Sequence, residues 1–426
     1  METSELLQVL SPEGLRLLDA LPAYGTKNDL LRTVADLRAA GHSPELVAAV
    51  LTQSKLRTKG AAKFGPFASR MLFTEAGLEQ ATRLSVAALH AGRFQQAGIR
   101  RVTDLGCGIG ADSMAIAALD IEVTAVERDE VTAAIAAYNL APWATASVVI
   151  ADAQAHDIAD GGVFLDPARR TSGHSNTSRL GDPADWSPPL DFAFGLAAGR
   201  AGGVAEDVAP SRSGSDASGL AEGVSLARSG SEAVGVKLGP GIDRDLIPAE
   251  AEAQWVSVDR EVVEVGAWFG PLARPGIRRS ALVIGEHGTA ELHAGADAED
   301  AELGTLGEYV YEPDGAVIRA RLIGDLARSL DATMVSPGIA YVSSDAAVTT
   351  PFARAFRVIA SFAWDERVLR RELAARGIGT LEIKKRGVDV DPAQLRKKLA
   401  LKGAESATLI VTRIAGRHTA LLVDRV

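Results

Sequence analysis

The stretch Asp104-Leu105-Gly106-Cys107-Gly108-Ile109-Gly110-Ala111-Asp112 sets three glycines on alternate positions between two aspartates. Without a Cβ, the backbone can pass close to a ligand and take turns closed to other residues. Arg101-Val102-Thr103 before it reads as a strand and Ser113 to Leu119 after it as a helix, so N–H groups at the helix start can face ligand oxygens. Gly106, Gly108 and Ala111 also satisfy the looser dinucleotide pattern. The acids separate the two options. Asp104 and Asp112 suit a sulfonium and an ammonium, whereas a pyrophosphate would find that charge unfavourable. Glu127 ends the next strand about 20 residues on, where a carboxylate can take both ribose hydroxyls. Asp152 ends a third strand, where it can accept an adenine amino proton. Arg128 and Ala153 follow these two acids and join the candidate cofactor contacts.

A fourth strand, Val163 to Asp166, runs into Pro167-Ala168-Arg169-Arg170. In an open parallel sheet the chemistry lies at the carboxyl ends of the strands, near the point where strand order reverses. Methyl transfer from a sulfonium needs little acid–base power, because the leaving group is neutral, but it needs a nucleophile held in line. A carboxylate and a proline-fixed carbonyl can accept hydrogen bonds from an exocyclic amine and hold it so. Asp-Pro also fits a helix cap followed by its first-turn proline. Cys107, the single cysteine, excludes an intrachain disulfide and a multi-cysteine metal site, and no metal is expected.

These residues need elements to carry them. Residues 1–97 read as a helical domain, with Ser11-Pro12-Glu13 and Ser43-Pro44-Glu45 as helix starts and Leu78 to Phe94 as one helix leading to the glycine strand. Lys55, Arg57, Lys59 and Lys63 read as a basic cluster in a loop between helices. Residues 98–290 alternate strand and helix, which calls for a parallel sheet covered on both faces. Its fifth strand is Ala233 to Leu238, and Trp255 to Trp268 and Ser280 to Ile284 read as a final antiparallel pair. Residues 205–220 and 221–236 align as a tandem duplication, nine of sixteen positions identical. With its Gly, Ser and Ala content, 200–232 reads as a disordered, low-complexity surface insert. Residues 291–350 read as a connection with one helix carrying Ile318, Leu322, Leu326 and Leu330. The last unit, 351–426, has the order βαβαββ, a compact α+β domain.

Composition bounds the class. The chain has 426 residues, is 47% hydrophobic and 23% charged, and holds no apolar run long enough for a membrane span. Its acidic start, Met1-Glu2-Thr3-Ser4-Glu5, lacks the basic opening of a secretory signal, so a cytoplasmic location is expected. The net charge of −10 argues against a general nucleic-acid binder, but it is unevenly spread. Residues 351–426 carry 16 Lys or Arg against 8 Asp or Glu, which leaves −18 on the first 350. A basic end on an acidic body points to a polyanion-binding module, with Lys384, Lys385, Arg386, Arg396, Lys397 and Lys398 as its candidate RNA contacts.

DLGCGIGAD, followed by VERD, IADA and LDPARR, resembles the class I S-adenosylmethionine-dependent methyltransferases, and LEIKKRGVDVDPAQLRKKL resembles the THUMP-like domain of a bacterial branch of them. The resemblance implies a Rossmann-like α/β sheet between an N-terminal helical domain and a small C-terminal α+β domain, with S-adenosylmethionine as cofactor and RNA as partner. It carries cofactor roles to Asp104, Gly106, Gly108, Gly110, Glu127 and Asp152, and substrate-side roles to Asp166, Pro167 and Arg169. The chain also departs from relatives. Base-amino methyltransferases commonly have Pro-Pro and an aromatic after the acid, where this chain has Pro167-Ala168-Arg169. Uracil-C5 enzymes share the arginine but need a cysteine nucleophile; here the fifth strand ends Lys237-Leu238-Gly239-Pro240, and Cys107 lies in the cofactor turn. A nitrogen acceptor is therefore expected. The alternatives are a protein or small-molecule acceptor, a non-catalytic RNA-binding protein that keeps the cofactor fold, and a nicotinamide oxidoreductase.

Overall fold

The computed structural model of the chain describes residues 1–21, 27–167, 186–199, 233–286 and 288–426, and it divides into two compact units, 1–237 with 268–273, and 238–267 with 274–426. Arg169 and residues 200–232 lie outside the described residues.

The first unit opens with α1 (Thr3–Leu10), α2 (Pro12–Ala20), α3 (Lys27–Ala39), α4 (Pro44–Phe64), α5 (Glu75–Gln80) and α6 (Leu84–Gln96). Ser11 and Ser43 cap α2 and α4 as their spacing predicts: each hydroxyl accepts from a backbone N–H, of Gly14 and Leu46, and a proline occupies each first turn. Two expectations fail here. The expected basic loop is part of α4, and two of its charges turn inward: buried Arg57 donates to the Met71 carbonyl and to Asp19, each at 3.0 Å. Lys63 donates to the carbonyls of Leu78, Glu79 and Ala81. These are the unpaired carbonyls where α5 ends, so the expected helix from Leu78 to Phe94 breaks there into α5 and α6.

The sheet of this unit is built from β1 (Arg101–Leu105), β2 (Glu122–Glu127), β3 (Ala146–Ile150), β4 (Gly162–Leu165) and β5 (Ala233–Leu238), with α7 (Ala111–Ala117), α8 (Glu130–Leu140) and α9 (Leu190–Ala197) between them. The strands are parallel in the order β3-β2-β1-β4-β5. The order therefore reverses between β1 and β4, which brings the glycine strand beside the strand that ends at Asp166. One apolar core joins Leu6, Val50 and Phe73 of the N-terminal segment to Met114, Ile135 and Leu140 of α7 and α8. A second holds Phe94, Phe164 and Trp268, the last two rings stacked at 6.4 Å.

In the second unit, the expected strand from Trp255 to Trp268 is two strands, β6 (Glu252–Val258) and β7 (Glu261–Trp268). They turn at Asp259 and Arg260, both at positive φ (49° and 71°), as a two-residue hairpin turn requires. Then come β8 (Arg279–Gly285) and β9 (Gly288–Ala294). β8 runs parallel to β6 and takes β9 as its antiparallel partner, so the expected antiparallel pair is not formed. The stretch read as a connection contributes β10 (Tyr309–Pro313), α10 (Gly315–Arg319), α11 (Ile323–Ser329), β11 (Thr333–Met334) and β12 (Val342–Ser344). β13 (Ala353–Ala363), α12 (Glu366–Ala375), β14 (Ile378–Lys385), α13 (Pro392–Leu399), β15 (Glu405–Ile414) and β16 (Arg417–Arg425) follow in the βαβαββ order that the sequence predicts. A seven-stranded sheet, β11-β12-β10-β13-β16-β15-β14, unites them. The single helix expected through Ile318 and Leu330 is α10 and α11, broken where Arg321 takes φ 60°. Among the described residues no helix is long and apolar enough to cross a membrane.

Candidate functional site

The glycine turn follows β1 directly. Gly106, Gly108 and Gly110 take φ of 85°, 57° and 86°, values that a side chain disfavours, and among the described residues a Cβ at Gly106 or Gly108 would meet no atom within 4 Å beyond its own chain neighbours. The turn is thus both glycine-dependent and open. It is pinned from β2, whose Val126 carbonyl accepts from the N–H groups of Gly106 and Cys107. The Glu127 carboxylate accepts from Gly108 N–H at 3.1 Å and from Asp129 N–H at 2.9 Å. The strand-end acid and the glycine turn therefore hold each other in register. On the far side, the Asn139 amide bridges the Ile109 carbonyl and the Leu72 backbone.

Two carboxylates lie beneath the turn, and their surroundings differ. Asp104, on β1, is buried and accepts from the Ser113 hydroxyl. Burial and the neighbouring Asp112 charge push its pKa up to about 7. Asp112, on α7, is buried too, but one oxygen accepts from the Thr82 hydroxyl at 2.6 Å and the other lies 2.8 Å from His90 Nδ1. Burial alone would raise its pKa; the His90 hydrogen bond and charge, with Lys237 and Thr82, outweigh it and hold the carboxyl below its ordinary range. Both Asp112 oxygens are thus engaged by the protein, and its charge acts on Asp104 through space. Burial, with Asp104 and Glu127 beside it, pushes the Cys107 thiol well up, which disfavours its thiolate form.

Asp166 leaves the end of β4 and pairs with Lys237 Nζ from neighbouring β5. Lys237 also donates to the Thr82 hydroxyl at 3.1 Å. The pair is therefore continuous with the Asp112–Thr82–His90 group, from α6 to the carboxyl ends of β4 and β5. Pro167 is buried just after Asp166. Lys63 on α4 feels the same field: burial, Lys237 and Arg83 pull its pKa down to about 8. Asp152 stands two residues beyond β3, exposed, its carboxylate accepting from Gln154 N–H; Ala153 is half-buried and Arg128 exposed. Sequence reasoning missed Thr82, His90, Ser113 and the role of Lys237. The available signals were a lone lysine in the apolar run Ala233–Leu238 and a lone histidine on the apolar face of α6.

The six C-terminal basic residues do not share one face. Along β14 side chains alternate, so Lys384 and Lys385 point to opposite sides. Lys384 is half-buried against Glu312 at 2.8 Å, and Arg386 lies over the Tyr341 ring. Arg396 donates to the Leu381 carbonyl, Lys398 pairs with Glu366, and Lys385 and Lys397 are exposed. Among the described residues no group of three or more His, Cys, Asp or Glu is placed to hold a metal ion.

Residues 353–425 match the family model described as THUMP domain-like, and residues 2–60 match a domain of unknown function. Two curated proteins of Mycobacterium tuberculosis, from strains CDC 1551 / Oshkosh and ATCC 25618 / H37Rv, are each named an uncharacterized S-adenosylmethionine-dependent methyltransferase. Each is 32% identical over 383 residues, 88% of this chain and 94% of theirs. A crystal structure from Porphyromonas gingivalis W83, named as a candidate methyltransferase, shares the fold with a TM-score of 0.64 at 19% identity, covering 94% of this chain and 99% of that one.

Proposed function

Since this chain belongs to the S-adenosylmethionine-dependent methyltransferases, we propose that it methylates a nitrogen of an RNA base, in tRNA or rRNA, and acts in the cytoplasm. Asp104, Gly106, Cys107, Gly108, Gly110 and Asp112 hold the amino-acid end of S-adenosylmethionine, Glu127 and Arg128 its ribose, Asp152 and Ala153 its adenine. The fit is supported by the open space over Gly106 and Gly108 and by a buried carboxyl, Asp104, whose unfavourable neighbour Asp112 makes a cation welcome. When bound, the cofactor supplies a methyl group on a sulfonium, which departs as a neutral thioether.

The observation that carries the acceptor assignment is the Asp166–Lys237 pair at the end of the strand beside the glycine turn. Lys237 holds the Asp166 carboxylate in place, so it accepts from a base amine N–H and turns the nitrogen lone pair toward the methyl. Buried Pro167 fixes the backbone that carries Asp166. The resemblance adds Arg169 on the substrate side. The THUMP-like match and the basic end of the chain support RNA as the partner, through Lys384, Lys385, Arg386, Arg396, Lys397 and Lys398. Mass spectrometry of nucleosides from total RNA tests this: cells lacking the gene lose one methylated nucleoside, and the wild type but not Asp166→Ala restores it. An unchanged nucleoside profile, with methyl groups entering protein instead, would overturn the RNA assignment. S-adenosylmethionine raises the melting temperature of the wild type and not of Asp104→Ala; absence of any shift with the cofactor or its demethylated product would overturn the donor site.

A further inference from the structure

The second unit contains a cavity of about 530 Å³ whose lining includes Asp243, Arg244, Trp255, Arg319, Arg321 and Arg386. Four guanidiniums thus face one carboxylate. Asp243 is itself occupied, accepting from Asp245 N–H at 3.1 Å. Among the described residues Arg244 and Arg321 pair only with Asp297, at 3.4 and 3.9 Å, and that carboxylate already accepts from Arg279 at 2.7 Å. Arg319 and Arg386 make no ion pair among the described residues. Like charges gathered this way repel until an anion joins them, and the buried Trp255 wall leaves that field less screened than it would be in open water.

The arginines are also held in place. Arg386 lies 5.5 Å over the ring of Tyr341, a fully buried phenol whose pKa burial and Glu312 push upward. Arg321 sits at φ 60°, a conformation that bulky residues seldom adopt. That turn breaks an apolar period which would otherwise run as one helix, and it brings Arg319, the last residue of α10, and Arg321, at the break itself, to the same cavity. Strain at a charged residue in a cavity is an indication of function. The guanidinium is planar and permanently charged, and its forked N–H groups match phosphate oxygens in pairs.

We propose that this cavity binds a phosphate group, held by Arg319, Arg321 and Arg386 with Arg244 behind them. The phosphate belongs either to an RNA backbone, which rests on the RNA reading above, or to a small phosphorylated molecule, which does not. The test uses the full chain with two probes: inorganic pyrophosphate followed by calorimetry, and a fluorescein-labelled oligouridylate followed by anisotropy across a salt series. The double variant Arg319→Ala/Arg386→Gln should weaken pyrophosphate binding roughly tenfold or more. It should also lower the oligouridylate salt slope by about 0.7, the value for one lost phosphate contact. Arg319→Lys, which keeps the charge and loses the fork, should fall between wild type and the double variant. Lys402→Ala, at an exposed lysine outside the cavity lining, should leave pyrophosphate binding unchanged. Loss of pyrophosphate binding with an unaltered oligouridylate slope assigns the site to a small phosphorylated ligand. Failure of both probes to bind the wild type, or binding by the double variant with wild-type affinity and slope, overturns the proposal. Arg319 is exposed, so its removal spares the core. The S-adenosylmethionine melting shift reads the donor site separately, which keeps a failure there distinct from a failure here.

Discussion

Under the glycine turn, Asp104 and Asp112 are 2% and 8% exposed and hydrogen-bonded to Ser113, Thr82 and His90; around the arginine cavity, Arg319 and Arg321 face water. The same Coulomb law has different consequences in the two places. In the buried group a charge without its partner is costly, so a single missing hydrogen bond changes pKa values, stability and chemistry together. In the cavity water shares the work, so each arginine contributes modestly, nearly independently, and in a salt-dependent way. The first arrangement can orient a reacting atom; the second can hold a polyanion without specifying it.

The largest effect that would sharpen this contrast comes from Lys237→Met. The variant removes the Lys237 cation from Asp166 at the strand end, and the single-turnover methyl-transfer rate should fall by about 10²–10³-fold, the range for removing one preorganised electrostatic partner. Cofactor affinity should fall less than the rate, because Lys237 contacts Asp166 and Thr82 directly and acts on Asp104 and Asp112 through its charge. A wild-type rate would remove Lys237 from the acceptor side.

His90→Ala acts on stability instead. It strips one partner from a buried carboxylate, which typically costs about 3–5 kcal/mol, measurable by denaturant unfolding. Adding Asp112→Asn should recover much of the loss, since a neutral amide no longer needs the imidazole. If the double variant is no more stable than His90→Ala alone, the pair is not the source of the cost.

The pH dependence separates the two carboxyls further. Asp104 has a raised pKa in the fold, about 7 against an ordinary 3.8, so its contribution to stability is fully present below 3.8 and is lost as pH rises through 7. Ligand binding runs the other way. The ionised carboxyl is the form that meets an ammonium, so affinity for the demethylated cofactor should rise about tenfold per pH unit up to 7 and then level off. Asp104→Asn should bind weakly at every pH. Calorimetry on either side of pH 7 checks both, and a flat wild-type profile would mean that Asp104 does not face the ligand's cation.

How far these sites could be read in the sequence follows from where their residues lie along the chain. Asp104, the glycines and Glu127 are legible because one strand, one turn and the next strand end carry them. The neighbouring position of β4 is legible from the order of a doubly wound sheet. Lys237 and Thr82 meet from 155 residues apart, and no local period encodes that. The break at Arg321 was hidden for the opposite reason: Ile318, Leu322, Leu326 and Leu330 keep a perfect helical rhythm across it. Asp259-Arg260 likewise lacks the Asn-Gly or Asp-Gly signature of the hairpin turn it makes. Contiguity misled in the C-terminal unit, where Lys384 and Lys385 are adjacent in sequence yet belong to opposite faces of β14.

That last point yields the smallest effects, and they divide the basic residues into two kinds. Lys384 pairs with Glu312 at 2.8 Å with both side chains under 20% exposed, and it also lies 5.7 Å from the Phe356 ring. Lys398 pairs with Glu366 at the same distance, but the two side chains are 58% and 41% exposed. Equal geometry does not mean equal worth, because water competes for the second pair and hardly reaches the first. Lys384→Met should therefore cost about 1–3 kcal/mol, by leaving the Glu312 carboxylate partly buried without its cation. Lys398→Ala should cost about 0.2–1 kcal/mol at most, and less at high salt. For RNA the order reverses: Lys398 can leave Glu366 for a phosphate at little cost, whereas Lys384 would have to abandon a half-buried partner. Paired denaturant curves and oligouridylate titrations decide it. An RNA affinity that drops more for Lys384→Met than for Lys398→Ala, in a variant that is still folded, would show that the half-buried lysine serves the ligand rather than the sheet.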